Sequence, residues 1–424
     1  MDHYIVISAD AHCGADLAGY RPYLEQRYHD AFDVWATSHS DAWAKLDATG
    51  GDRRVGVSSF ASDVNWDSAK RQSQVEAEGI CAEVLFPNTT PPFYPSGAVS
   101  APAPASPPRD RAEYEHRFAG VRAHNRWLAD FCRDYPGRRA GLAQVFLSDV
   151  EDTVVEVERA RRDGLSGVLL PPDHFQQLQN VYYPRFDKLW AVCVDLDMPV
   201  VRHGVIVGEA NSEASGPASA AIGLLESFYF TQRALTSMLI SGVFERHPNL
   251  KFVITEIGAA WVPPLLAHLD GFVNDASAPG TVQNMFGGGA VKALSKKPSE
   301  YFATNCYLGS FLSSADIQAR SDIGIQTMMW GADYPHHEGT APFTRLALRY
   351  NFAGLPDGHV RAILAENAAE CYGFDLGSLQ SVANRVGPTS RELQSPVSPE
   401  ELPAYPEETV CPTFTERGLP MGVD

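Results

Sequence analysis

Eight short apolar runs, each followed by a stretch with helical spacing, constrain this chain more than any other feature. The runs read as strands over 5–12, 80–86, 139–146, 166–170, 199–204, 250–256, 301–306 and 326–333. Between and after them lie helices. The clearest covers 110–135, where Tyr114, Phe118, Val121, Trp127, Leu128 and Phe131 form one apolar stripe, and another covers 149–163 and stops at Gly164. Strand alternating with helix eight times is the pattern of a (β/α)8 barrel, here a distorted one with long inserted loops. The loops are expected at 16–78, at the proline-rich 87–110, at 204–221 and at the glycine-rich 287–289. No internal repeat or clean linker is visible, so residues 1–375 are read as one barrel domain. Residues 376–424 are read as an extended, proline-rich tail that wraps the barrel or a partner subunit, or is partly disordered.

The strand ends carry the chemistry. Asp10 and His12 stand two apart at the end of the first strand, where they share one face. His203 ends the fifth, Glu256 the sixth and Asp333 the eighth. In such barrels the C-terminal strand ends and the loops after them form the active face. Four strands therefore deliver metal-ligand residue types to one small region. A buried carboxylate needs a partner, and one bound cation would satisfy all of these groups together.

The remaining composition narrows the function. With 34 basic and 52 acidic residues the net charge is −18, which argues against nucleic acid and anionic membrane partners and leaves a small molecule or peptide as the expected substrate. No apolar run is long enough to span a bilayer and no leader pattern precedes the first strand. The seven cysteines are scattered without a C-x-x-C pair, so a reducing, cytoplasmic setting is expected. A homodimer is an open expectation.

The motifs Ser8-Ala9-Asp10-Ala11-His12, Asn125 to Cys132 (NRWLADFC), Pro199-Val200-Val201-Arg202-His203, Gly242 to Lys251 (GVFERHPNLK), Gly331-Ala332-Asp333-Tyr334-Pro335-His336 and Glu366-Asn367-Ala368-Ala369 are specific when taken together. Over roughly residues 4–375 the chain resembles the amidohydrolase superfamily, in its branch of aminocarboxymuconate-semialdehyde decarboxylase-like enzymes. That resemblance implies one divalent metal, Zn2+ first and Mn2+ as the alternative, held by Asp10, His12, His203 and Asp333. Two positions depart from the family pattern. The first ligand is Asp10 where the decarboxylases often have His or Glu, and Glu256 replaces the common sixth-strand histidine. No lysine ends the fourth strand, so a carbamylated-lysine binuclear centre is not expected.

A site with up to three carboxylates suits a neutral amide or ester better than a carboxylate substrate. The leading expectation is therefore a metal-dependent hydrolase of a C–N or related bond. Asp333 would take a proton from metal-bound water, and Glu256 would serve as ligand or base. The alternatives are a non-oxidative decarboxylase of an aromatic or unsaturated acid, in which Asp333 protonates carbon, and a non-catalytic metal-binding barrel. Expected substrate contacts are Arg202 (with Arg53 or Arg54) as a carboxylate clamp, His336 and His337 beside Asp333, and His174 after the fourth strand. Asn305 near the seventh strand end and Trp261 as a pocket wall complete the set. For the arginines an ion pair, and for Trp261 core packing, are the competing structural roles.

Overall fold

The computed structural model describes residues 2–39, 62–94, 108–171, 180–204, 217–405 and 407–415. Eight parallel strands run in sequence order around a nearly closed barrel: β1 (Ile7–Cys13), β2 (Ala82–Pro87), β3 (Arg139–Gln144), β4 (Gly167–Leu169), β5 (Val200–His203), β6 (Phe252–Thr255), β7 (Cys306–Ser310) and β8 (Met328–Trp330). Every strand residue is buried, as expected of parallel strands covered on both faces. Side chains alternate between two layers. Ile7, Val84, Leu142, Leu169, Val201, Val253 and Met329 fill the barrel, while Val168, Val200, Phe252, Ile254, Leu308, Met328 and Trp330 pack outward against helices. On β5 this alternation turns His203 inward with Val201 and Arg202 outward with Val200.

β1 and β8 meet through a parallel bridge between Ala11 and Tyr334. Asp333 N donates to Asp10 O at 2.8 Å and His12 N to Tyr334 O at 2.7 Å. Gly331 permits this approach, since a Cβ there would lie 2.6 Å from the Asp10 Cβ. The β1–β2 register shifts between Ser8 and Ala11, a bulge that carries Asp10. Ser8 Oγ ties the bulge down, donating to Asp10 O at 2.6 Å and accepting from Ala332 N at 2.9 Å.

Several expected elements are revised. The seventh strand is not 301–306: Pro298–Asn305 is a helix opened by Pro298, and the strand starts at Cys306. The glycines at 287–289 lie within a helix, Val282–Val291, where Gly287 fits against Phe272. The tail is not extended throughout. Asp375 caps a helix over Leu376–Val386, whose Leu379 and Ala383 are buried. Its apolar spacing was readable, and the prolines beyond it obscured it. Farther along, Thr389 pairs with His3, Arg345 bonds Glu392 at 2.9 Å, and Thr413 Oγ1 donates to Leu312 O at 3.0 Å. The described tail thus lies along the barrel. No helix among the described residues is long and apolar enough to cross a membrane.

Candidate metal centre

Asp10, His12, His203 and Asp333 converge inside the barrel mouth, none more than 7% exposed. His12 Nε2 lies 3.5 Å from Asp10 Oδ1 and 3.2 Å from Asp333 Oδ1, and His203 Nε2 lies 3.5 Å from Asp10 Oδ1. Asp333 and Glu256 both adopt the left-handed backbone region, with φ 54° and 71°. Side chains rarely adopt that conformation, and it recurs at functional sites.

The donor atoms are poorly satisfied by the protein. Both carboxylate oxygens of Asp10 and of Asp333, both ring nitrogens of His12 and Nε2 of His203 are buried without a hydrogen bond. Leaving such groups unpaired costs several kcal/mol in all (about 1–3 per group), so their convergence fits a divalent cation. The electrostatics agree. Burial opposes charge on His12, but the Asp10 and Asp333 carboxylates outweigh it and hold its pKa up at about 9. Burial likewise opposes charge on His203, and Glu256 and Asp10 raise it well above its ordinary value. Burial works against the Asp10 carboxylate too, yet the two imidazoles bring it down to about 2. Metal binding would replace these imidazole protons by a dication and release them.

Second contacts aim these side chains. His203 Nδ1 faces Gly204 O at 2.5 Å and Glu256 Oε2 at 2.9 Å, both acceptors, so Nδ1 carries hydrogen and Nε2 points to the centre. A hydrogen-bond chain orients His336. Asn65 Nδ2 donates to the backbone Ser62 O at 2.9 Å, so Asn65 Oδ1 accepts from Asn88 Nδ2 at 2.9 Å. Asn88 Oδ1 then accepts from His336 Nε2 at 3.0 Å, and His336 Nδ1 faces Asp333 Oδ1 at 2.9 Å. The His336 ring stacks on His12 with centroids 3.9 Å apart, and Phe86 walls His203 at 4.7 Å. Burial drives the His336 pKa down to about 3 and keeps the ring neutral.

A family model described as amidohydrolase matches residues 92–374. The chain belongs to the amidohydrolase family. It is 25% identical over 302 residues, 66% of this chain and 82% of the other, to a γ-resorcylate decarboxylase of Rhodococcus jostii. In fold it resembles 5-carboxyvanillate decarboxylase from Sphingomonas paucimobilis, with TM-score 0.60 and 20% identity, over 88% of this chain and 99% of that one. The same enzyme from Novosphingobium aromaticivorans, complexed with manganese and 4-hydroxy-3-methoxy-5-nitrobenzoic acid, superposes with TM-score 0.60 at 18% identity, over 87% and 96% of the two chains.

These relatives overturn the expectation of hydrolysis, because each of those three is a decarboxylase. The physical error lay in counting carboxylates. Two imidazoles, His12 and His203, face the three carboxylates of Asp10, Asp333 and Glu256, so the centre is less anionic than the carboxylates alone imply.

Other expected contacts fall elsewhere in this amidohydrolase barrel. Asn305 sits at the opposite end, where its Nδ2 donates to Pro248 O and Leu250 O at 2.8 and 2.9 Å and ties down the chain ahead of β6. Arg202 points outward and donates to Pro171 O. Trp261 packs half-buried against the outer layer, its Nε1 donating to Gly258 O at 3.1 Å. His337 is half-buried in the loop beside His336. His174, Arg53 and Arg54 lie outside the described residues. Sequence reasoning missed Glu338, Phe86 and the Asn65–Asn88 chain. Glu338 stands two after His336, a spacing as informative as Asp10-x-His12 and overlooked because it lies in a loop.

Proposed function

We propose that this protein is a metal-dependent, non-oxidative decarboxylase of an aromatic carboxylic acid bearing a ring hydroxyl, with Mn2+ favoured over Zn2+. The observation that carries the reading is Asp333. It follows β8 in a left-handed backbone conformation, fully buried, with one oxygen beside His12 and His336. The decarboxylases named above support the reaction class, and the manganese of one of them supports the metal.

Asp10, His12, His203 and Asp333 would hold the cation, which when bound would polarise and anchor the substrate's carboxylate and ring hydroxyl. The chain's own residues do the rest. Protonated Asp333 gives its proton to the ring carbon that bears the carboxylate. The bond from that carbon to the carboxylate then breaks, its electron pair restores the aromatic ring, and CO2 departs. Asp333, now a carboxylate, regains a proton from water. A hydroxyl ortho or para to that carbon donates electron density and eases its protonation. In the metal-free site burial raises the Asp333 carboxyl to a pKa of about 6, with His12 opposing the effect and the nearby Asp10 adding to it. Phe86 supplies an apolar wall beside His203. All seven cysteines are free and buried, which supports the expected reducing cytoplasm.

The test is CO2 release in D2O by Mn2+-loaded protein from a panel that includes 2,6-dihydroxybenzoate and 5-carboxyvanillate. The expected result is stoichiometric CO2 with one deuterium on the carbon that lost it. Metal-replete protein that releases no CO2 from any hydroxylated aromatic acid would remove the reading.

A further inference from the structure

The barrel mouth holds a buried polar side chain that the proposed reaction leaves unused. Gln144, at the end of β3, is 1% exposed, and neither its Oε1 nor its Nε2 has a hydrogen bond. Side chains on β3 alternate. Ala140 and Leu142 lie with Val84, Val201 and Val253 inside the barrel, whereas Ala143 packs outside it with Leu128, Ala160 and Leu165. Gln144 therefore turns inward.

Strand pairing sets its height. His12 pairs with Phe86 on β2, and Leu85 pairs with Gly141 on β3, so Gln144 stands two residues beyond the position level in register with His12. Gln144 itself pairs with Leu169 on β4, and Leu169 with Val201 on β5, two residues short of His203. Tilted barrel strands climb by about one residue per strand, and alternate strands supply each interior layer. β1, β3 and β5 thus place His12, Gln144 and His203 in one layer. The carboxamide shares the floor of the mouth with two of the expected metal ligands.

The chain also fixes the backbone that aims this side chain. Asn125, from the helix Arg111–Arg133, has its Oδ1 accepting from Gln144 N at 2.9 Å and its Nδ2 donating to Gln144 O at 3.0 Å. The same Nδ2 donates to Glu156 Oε1 at 2.7 Å, and Asn125 and Glu156 are both buried. This clamp takes over where the β2–β3 ladder stops, at Leu85 and Gly141. Every polar group around the Gln144 main chain is satisfied, while its carboxamide bonds nothing in the chain. Burying an amide in that state is costly, and native proteins accept the cost where a ligand or water meets the group.

We propose that Gln144 is a specificity-determining residue that recognises a hydroxyl ortho to the substrate's carboxylate. Its layer faces the end of the substrate that the cation anchors, which is the carboxylate and the positions beside it. With one ortho hydroxyl held by the cation, the other ortho position turns toward β3. There Oε1 accepts from a second hydroxyl and Nε2 donates to the adjacent carboxylate oxygen. A neutral amide can do this beside Asp10, Asp333 and Glu256, where one more carboxylate would repel the acid.

The inference rests on the reading of the substrate as a hydroxylated aromatic acid. Mn2+-loaded full-length protein is titrated by calorimetry with benzoate, 2-hydroxybenzoate and 2,6-dihydroxybenzoate, and CO2 release is measured alongside. Wild type is expected to bind 2,6-dihydroxybenzoate about 10-fold or more tightly than 2-hydroxybenzoate. Gln144→Met, apolar and close in volume, is expected to weaken 2,6-dihydroxybenzoate about 10–100-fold and 2-hydroxybenzoate by no more than about threefold. It is also expected to leave the melting temperature of the ligand-free protein unchanged or higher, whereas loss of a structural residue would lower it. Wild type that binds the two hydroxylated acids equally overturns the proposal whether or not the variant folds, and so does wild type that binds none of the three acids. A folded Gln144→Met that keeps wild-type affinity, or that weakens both hydroxylated acids equally, overturns it too. Selectivity lost in Gln144→Met with no CO2 release from either protein would sink the proposed reaction and leave Gln144 in its role. CO2 release by both proteins with unchanged affinities would do the reverse.

Discussion

Two buried charged clusters share the end of β1, and they are built on opposite plans. In one, Arg71 and Glu83, 0% and 2% exposed, form a bidentate pair with Nε at 3.0 Å and Nη2 at 2.8 Å. The remaining Arg71 nitrogen, Nη1, donates to His12 O at 2.6 Å, and the guanidinium lies over the Tyr334 ring. In the other, a few ångströms along the same strand, Asp10, His12 and Asp333 are as deeply buried but leave their oxygens and ring nitrogens without hydrogen bonds. The first cluster is complete, and its task is to hold the backbone of His12. The second is completed only by something the chain does not supply. Burial of charge alone therefore does not mark a functional site; burial with open valences does.

The sharpest way to separate the two clusters is to remove one group from each. Asp333→Asn should lower CO2 release by about 10⁴-fold, the upper end for a general acid and about 5.5 kcal/mol in barrier, while leaving a folded protein. Steady-state kinetics with circular dichroism checks it. Arg71→Met should instead destabilise the fold by about 3–5 kcal/mol, because Glu83 is left charged and buried, and Arg71→Met/Glu83→Leu should recover most of the loss in chemical denaturation. Glu256→Ala removes the carboxylate that orients His203 and should weaken Mn2+ binding by Asp10, His12 and His203 about 10–100-fold, read by metal titration.

A third buried group gives the smallest effect. His124 is fully buried, its Nδ1 2.8 Å from Tyr20 OH, and burial lowers its pKa to about 3, against an ordinary 6.5. Between those values the unfolded chain binds a proton that the folded chain refuses, so stability falls as pH drops below 6.5. The slope is about 1.4 kcal/mol per pH unit. His124→Gln should flatten the pH 4–6 limb of the unfolding free energy by that amount, while an unchanged slope would mean that His124 takes up its proton in the folded state.

Much of this was legible from residues alone, because barrel strands alternate with helices and ligands cluster at strand ends. Asp10, His12, His203 and Asp333 meet where the alternation places them. The errors share a cause, which is that local pattern does not report what a side chain meets in space. Asn305 was assigned to a strand end, but the Pro298-initiated helix shifts β7 and leaves Asn305 at the other end of the barrel. Arg202 lies one residue from His203, and that single step turns it away from the centre. Glu338 and the Asn65–Asn88 chain come from loops, whose conformation no period encodes. The reaction was misjudged because charge was counted on the carboxylates without the imidazoles that face them.

Anomalous diffraction at the manganese edge, from crystals grown with Mn2+, tests the distinction between the open and the closed cluster most directly. A peak bounded by Asp10, His12 and His203, with none beside Arg71 and Glu83, is the predicted result. Metal-saturated crystals with no peak among those three side chains would contradict it.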